Sequence, residues 1–132
     1  MLIAVQTGRI KLSEEMAKLP PQVQERLLRY QQLQQTLQTV LAQKQQVEIE
    51  LTEIEQALSE MQKTADDTPI YKGIGTLLVK TEKTKVIADL NERKELLNTR
   101  ATVLGKQEER LRTQMKDLQT KLQQDLNPVS PS

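Results

Sequence analysis

Few side chains in this sequence could take part in catalysis or bind a metal ion, and most of these are carboxylates. The 132 residues contain neither Cys nor His, which excludes disulfides, thiolate or imidazole metal ligands and nucleophile–histidine pairs. Asp66 and Asp67 are adjacent carboxylates, which could bind a metal ion or act as acid and base. No third acidic ligand lies close by in sequence, so we interpret TADDTP, residues 64–69, as a turn and expect no enzyme, metal site or cofactor.

The composition differs from that of a globular domain with an aromatic core. Phe and Trp are absent, Tyr occurs twice, and charged residues make up 28% of the chain. Apolar contact must come from Leu, Val, Ile and Met, which on charged, Gln-rich helices indicates a coiled coil. The net charge of +1 provides no long-range attraction to nucleic acid or an anionic membrane. No apolar segment approaches the roughly 20 residues that span a bilayer, so we expect a cytoplasmic protein.

The first long segment has the apolar spacing of a coiled-coil helix. It follows Pro20–Pro21, which suit the first turn of a helix because no amide hydrogen is needed there. Apolar residues then recur at steps of three and four, interrupted only by Arg26 and Lys44. We predict a helix over residues 20–64. Its seam consists of Val23, Arg26, Tyr30, Leu33, Leu37, Val40, Lys44, Val47, Leu51, Ile54, Leu58 and Met61.

The second long segment repeats this spacing. Thr81 is a suitable N-cap, and Glu82 would lie in the first turn, where a negative charge is favourable. Only Lys94 and Glu108 interrupt the apolar seam, and we predict a helix over residues 82–126. The seam consists of Ile87, Leu90, Lys94, Leu97, Ala101, Leu104, Glu108, Leu111, Met115, Leu118 and Leu122.

Between the helices, residues 69–81 read PIYKGIGTLLVKT and lose the helical spacing. They predict a β-hairpin linked by Gly75–Thr76. Two strands of this size are marginally stable alone and leave unpaired edges, so we expect the same segment of other subunits to complete the sheet. The residues that we assign to this oligomerisation surface are Ile70, Tyr71, Ile74, Leu77, Leu78 and Val79.

The two seams are nearly equal in length, which favours a chain that reverses at the β-hairpin and pairs its helices antiparallel. The alternative is a pair of parallel dimeric coils with a break between them. We therefore predict a mainly α fold, a long antiparallel coiled-coil hairpin with a short central β-hairpin, over residues 20–126. We expect residues 1–19 to be a flexible tail or the product of a start codon assigned too early, rather than a further short helix. Residues 127–132 are expected to form a disordered tail.

In the antiparallel arrangement both chain ends meet at the end away from the β segment. Several apolar residues there lie off the seam, which exposed helix ends usually avoid. One interpretation is that Leu27 and Leu28 cap the coiled coil or contact the N-terminal residues. The other is that the tip forms an apolar patch that binds an unfolded client. We call the candidates the tip residues: Val23, Leu27, Leu28, Leu122 and Leu126.

Two stretches of the chain resemble the β-type subunit of archaeal prefoldin. They read PPQVQERLLRYQQLQQTLQTVLAQKQQVEIELTEIEQAL, residues 20–58, and IYKGIGTLLVKTEKTKVIADLNERKELL, residues 70–97. The resemblance extends over about residues 20–126. Heptads recur in unrelated proteins, so the discriminating feature is the central YKGIGTLLVKT segment at the right distance between two long helices.

The resemblance implies a hexamer of two α-type and four β-type subunits, in which each central β-hairpin joins an intersubunit β-barrel. Such complexes hold non-native proteins between coiled-coil tips without ATP and pass them to a group II chaperonin. The implied partners of this chain are a prefoldin α-type subunit, other β subunits, non-native client proteins and the chaperonin. The predicted strand residues would serve assembly, and the tip residues would contact clients.

A second hypothesis from another class is a coiled-coil scaffold or tethering protein that binds a specific partner helix. A scaffold would use the outer faces of its heptads for that partner. A holdase instead displays apolar surface on rigid charged helices, and several weak contacts act together through their effective concentration. Suppression of the aggregation of unrelated proteins would distinguish the two.

Overall fold

The structure is a computed structural model that describes residues 17–126. Its elements in order are helix α1, Pro21–Lys63; strand β1, Ile70–Ile74; strand β2, Leu77–Thr81; and helix α2, Lys83–Leu126. The predicted mainly α fold with a central β-hairpin is confirmed. The predictions made for residues 1–16 and 127–132, an early start codon and two tails, lie outside the described residues.

Helix α1 begins where the sequence places two prolines. The Pro20 carbonyl accepts hydrogen bonds from the Val23 amide at 3.0 Å and the Gln24 amide at 3.1 Å, which makes Pro20 the N-cap. Pro21 occupies the first helical position, where a missing amide hydrogen has little effect. The Gln24 side chain donates to the Leu19 carbonyl at 2.8 Å, so the preceding residues are held against the first turn.

Helix α2 begins one residue later than the sequence indicated. The Glu82 carbonyl accepts a hydrogen bond from the Val86 amide at 3.0 Å, so Glu82 is the N-cap and the helix starts at Lys83. The predicted N-cap, Thr81, is still paired with Ile70 in the β-hairpin. The chain can therefore turn into the helix only after Thr81.

The β-hairpin is antiparallel and regular. Each residue of β1 pairs with one residue of β2, and the last pair is Ile74 with Leu77, so neither strand has a bulge. Gly75 and Thr76 form the two-residue link, as predicted. Gly75 has a φ of +57°, and no residue other than glycine has a positive φ in the described part of the chain. A glycine of this conformation in the first loop position is the pattern of a type II′ turn.

Two glycines provide a matched test of this turn. A Cβ at Gly75 or at Gly105 would meet nothing within 4 Å, so only backbone conformation separates the two positions. We expect Gly75→Ala to lower the free energy of unfolding by about 1 kcal/mol, because alanine is strained at positive φ. Gly105→Ala, inside α2, should raise it by about 1 kcal/mol. Denaturant unfolding followed by circular dichroism measures both, and equal effects of the two substitutions would contradict the turn assignment.

The core of the described chain is built from the two predicted seams. Every buried apolar side chain occupies a seam position, which confirms the predicted heptad register. The side chains between these positions are mostly polar and exposed. The buried residues are Val23, Leu33, Leu37, Val40, Val47 and Ile54 of α1, and Leu97, Leu104 and Leu122 of α2.

Packing divides the chain into two compact units. The hairpin unit is Val40–Gln107, and the end unit combines Met1–Thr39 with Glu108–Ser132. Each unit contains a part of both helices, and only the hairpin unit contains the β-hairpin. As far as residues 17–126 are concerned, neither helix has a segment long and apolar enough to cross a membrane.

In the hairpin unit, α1 and α2 run antiparallel and are joined by ion pairs beside the seam. Arg93 Nη2 lies 3.4 Å from Glu50 Oε2, and Lys94 Nζ lies 3.9 Å from Glu55 Oε1. Lys94 is one of the polar residues on the predicted seam. Its aliphatic stem can therefore cover the seam while its ammonium reaches a carboxylate of the other helix.

In the end unit, an ion pair joins the start of α1 to the end of α2. Arg26 Nη1 donates to Asp125 Oδ2, and both side chains are half-buried. Glu108 accepts from Arg112 Nε at 2.9 Å one turn further along α2. Arg26 and Glu108 interrupt the apolar seam, and each has a charged partner. The Arg26–Asp125 pair joins the two helices, and a polar seam residue with such a partner favours one pairing register over others.

Candidate functional site

Lys83 holds the base of the β-hairpin. Its ammonium donates to the Thr64 carbonyl at 2.7 Å, just beyond the end of α1, and to Asp66 Oδ1 at 3.0 Å. The Lys83 side chain is half-buried, whereas Asp66 is exposed. A cation at the C-terminal end of a helix also interacts favourably with its dipole. One lysine at the start of α2 therefore fixes the end of α1 and the turn from which the β-hairpin emerges.

Asp66 and Asp67 lie in the turn that the sequence indicated for them. The Thr68 amide donates to the Ala65 carbonyl at 3.1 Å and closes this turn. Asp66 is the ion-pair partner of Lys83. Among the described residues, no group of three or more acidic side chains is placed to hold a metal ion. The geometry thus gives Asp66 a role in fixing the turn.

The strand register sorts the hairpin side chains onto two faces. Successive residues of a strand point to opposite sides, and paired residues share a side. The first, which we call the apolar face, carries Ile70, Lys72, Ile74, Leu77, Val79 and Thr81. The second, which we call the tyrosine face, carries Tyr71, Gly73, Leu78 and Lys80.

Neither face is covered by the other residues that the structure describes. Leu77 on the apolar face is 68% exposed, and Leu78 on the tyrosine face is 75% exposed. Of the six residues predicted to serve oligomerisation, only Ile70 is half-buried. The sheet has two strands, so the outer edge of each strand also lacks a partner within the described chain. Apolar side chains on both faces and two open edges make the β-hairpin suited to association with other strands.

The tip residues fall into three groups in the end unit. Val23 and Leu122 are buried, so they offer little surface to another molecule. Leu27 is half-buried. Leu28 and Leu126 are 53% and 54% exposed, so of the predicted set these two offer most surface to another molecule. The sequence pattern could not separate these groups, because all five residues lie near helix ends and are apolar.

Leu28 borders an open groove that the sequence did not indicate. Leu118 of α2 lines the groove together with Leu28, and Arg26 and Arg29 of α1 contribute its polar wall. Leu118 was assigned to the seam, and it is only half-buried there. Leu118 lies three residues after Met115 and four before Leu122, so the sequence pattern explained it fully as a seam residue and gave no reason to expect a groove. The groove joins apolar surface to the exposed Leu28 within the end unit.

Three large apolar residues in the hairpin unit are exposed on the helices. They are Ile49 of α1 and Leu96 and Val103 of α2, none of which lies on a seam. Leu96 and Val103 are one heptad apart and therefore share a face of α2. The sequence offered no clear signal for them, because Leu96 and Val103 directly precede seam leucines and single apolar residues are often exposed without consequence.

These features define a coiled-coil helical hairpin that carries an exposed β-hairpin between its helices. The family model described as "Prefoldin subunit" matches residues 24–128. The chain is 50% identical over 113 residues to a prefoldin subunit beta of Archaeoglobus fulgidus, covering 86% of this chain and 97% of that protein. A prefoldin subunit beta of Thermococcus onnurineus is 44% identical over 115 residues, covering 87% of this chain and 99% of that protein.

A solved structure agrees with the sequence relatives. The crystal structure of the prefoldin beta subunit from Thermococcus strain KS-1 superposes with a TM-score of 0.76 at 42% identity, covering 87% of this chain and 98% of that chain. The chain therefore belongs to the prefoldin subunit family, in its β type. It is accordingly a chaperone subunit of a kind that assembles with other prefoldin subunits, and members of this family act as chaperones rather than enzymes.

Proposed function

We propose that this chain is the β-type subunit of an ATP-independent holdase. Residues 20–126 form the functional domain, and the β-hairpin joins an intersubunit β-barrel in a cytoplasmic hexamer of two α-type and four β-type subunits. The assembled complex captures non-native proteins at coiled-coil tips and passes them to a group II chaperonin. The observation that carries the proposal is the β-hairpin, whose apolar side chains are exposed on both faces, with Leu78 at 75%.

Physical reasoning supports assembly through this hairpin. An isolated two-stranded hairpin is marginally stable in water, and its edges are open to further strands. Other strands added at those edges would satisfy backbone groups and cover the apolar side chains in the same step. Membership in a family whose subunits assemble with one another is consistent with this use of the surface.

Client capture is supported by the exposed leucines of the end unit. Leu28 and Leu126 are exposed on helices whose remaining surface is mostly polar, and Leu28 continues into the groove lined by Leu118. Each such patch is small, so a single one binds weakly. Several copies in one complex would bind the same unfolded chain together through their effective concentration.

The proposal predicts aggregation suppression without nucleotide. We expect the chain, combined with a prefoldin α-type subunit, to suppress light scattering from several unrelated, thermally unfolded proteins. The suppression should be the same with and without ATP, because apolar capture at the tips needs no nucleotide. An unrelated coiled-coil protein at equal mass serves as the control. Scattering equal to that control for every client would contradict the holdase function.

Binding of a specific partner helix is a second candidate function. The observation that favours it is the pair Leu96 and Val103, which lie one heptad apart on the exposed face of α2. Apolar residues at this spacing are the anchors through which one helix packs on another. A scaffold of this type would bind one partner and would leave the aggregation of unrelated proteins unchanged.

A further inference from the structure

Lys72 lies in the middle of the apolar face of the β-hairpin. It pairs with Val79 across the sheet, and its neighbours on the same face of β1 are Ile70 and Ile74. Leu77 lies diagonally beyond Ile74 on β2. Lys72 thus occupies a strand position with four apolar neighbours on the surface that the proposed function assigns to assembly.

The described part of the chain, residues 17–126, places no anion against the Lys72 ammonium. The two strands and their link, residues 70–81, contain no Asp or Glu. Within the part of the chain that the structure describes, Lys72 takes part in no ion pair, and water can reach its exposed side chain. The nearest acidic residues in sequence, Asp67 and Glu82, lie outside the strands, and Asp66 is already paired with Lys83.

Covering the apolar face changes the energetics of Lys72. Removing an ammonium from water without an opposite charge costs several kcal/mol, even when the side chain relaxes. That cost opposes the gain from burying the four apolar neighbours, each of which contributes about 1.5–3 kcal/mol at most when fully buried. Two apolar faces of this same chain, brought together, would bury two Lys72 ammonium groups and no carboxylate.

We propose that Lys72 selects the partner of the apolar face: the surface that covers it belongs to a different chain and presents an Asp or Glu carboxylate to the Lys72 ammonium. This inference rests on the proposed function and adds the chemistry of the partner. Opposite charges on adjacent strands stabilise the pairing, whereas like charges destabilise it. The lysine therefore disfavours self-association of this chain and favours a related subunit with an acidic residue on its hairpin.

Lys80 provides the contrast within the same hairpin. It lies on the tyrosine face, opposite Tyr71, and lines a groove at the base of the hairpin together with Asp67 and Glu82. Asp67 and Glu82 thus line the same groove as Lys80, whereas the apolar face around Lys72 carries no carboxylate. A substitution at Lys80 changes charge and hydrophobicity as much as one at Lys72, which makes it a matched control.

The test is native mass spectrometry and light scattering of the full chain over a range of concentrations and salt. We expect the unsubstituted chain alone to remain at low mass. Lys72→Met should self-associate at concentrations at least about tenfold lower, corresponding to about 1.4 kcal/mol or more. An equimolar mixture of the unsubstituted chain with Lys72→Glu should form mixed assemblies that weaken as salt increases. Lys80→Met should behave like the unsubstituted chain.

Two results would overturn the inference. In the first, the unsubstituted chain alone assembles as readily as Lys72→Met, which would show that the ammonium does not oppose self-association. In the second, neither Lys72→Met nor the mixture exceeds the mass of the unsubstituted chain. The aggregation assay with the α-type subunit is independent of both results. If that assay still shows suppression, the proposed function stands while the role of Lys72 fails.

Discussion

Replacing Leu78 with aspartate is expected to prevent this chain from joining a complex with a prefoldin α-type subunit. Leu78 is 75% exposed in the single chain, so its substitution leaves the fold of the subunit intact. In an assembly that covers the tyrosine face, the change removes about 1.5–3 kcal/mol of apolar burial and adds the cost of burying a carboxylate. We expect the affinity for assembly to fall at least about a hundredfold, since each factor of ten corresponds to about 1.4 kcal/mol.

The measurement is the native mass of the mixture, with helix content followed by circular dichroism. Leu96→Asp is the matched control, because Leu96 is 66% exposed but lies on α2 outside the β-hairpin. This control should retain both the native mass and the helix content of the unsubstituted chain. A Leu78→Asp chain that assembles as well as the Leu96→Asp chain would remove the β-hairpin from the proposed assembly mechanism.

The double substitution Leu28→Ser with Leu126→Ser is expected to abolish most aggregation suppression while leaving assembly unchanged. Both side chains are exposed, and the substitutions leave the buried Val23 and Leu122 unchanged. The change removes apolar surface from every β-type tip of the complex at once. Because the sites act together, weakening each of them lowers the overall affinity for the client multiplicatively. We therefore expect equal suppression to require a concentration of the complex at least about tenfold higher. Light scattering of a thermally unfolded client measures the effect.

Leu96→Ser with Val103→Ser is the control for this experiment. Both residues are exposed leucine or valine side chains on a helix, and they lie in the hairpin unit rather than the end unit. A holdase that uses its tips should keep full suppression with this pair substituted. If suppression survives the tip substitutions but not the control, the exposed face of α2 is the binding surface and the partner-helix function gains support.

The two surfaces have different physical requirements. The β-hairpin is held at both ends, because Lys83 ties the end of α1 to the start of α2 and the type II′ turn closes the strands. A regular, bulge-free hairpin can present edges and faces to other strands in one register. The exposed leucines of the end unit need no such register, since contact with an unfolded chain depends on apolar area rather than on a particular partner geometry.

Helix and strand positions could be predicted from sequence because local periodicity specifies them. Within residues 17–126, all buried apolar residues lie on the predicted seams, and Gly75–Thr76 is the hairpin link. The one-residue error at the start of α2 arose because Thr81 is a good N-cap by residue type. Its strand pairing with Ile70, a contact between residues distant in sequence, kept it out of that role. The preference of threonine for an N-cap position therefore competes with strand pairing, and only the folded structure shows which of the two prevails.

By itself, the sequence determined the two seams, the central hairpin and the absence of thiol or imidazole chemistry, because each follows from residue type and spacing along the chain. The tertiary structure decided which apolar residues remain available. It buries Val23 and Leu122 of the tip residues and leaves Leu28 and Leu126 exposed. It also places Lys72 among apolar neighbours on one face of the hairpin. Burial and surroundings depend on what packs against a side chain, and heptad spacing alone does not specify that for residues off the seam.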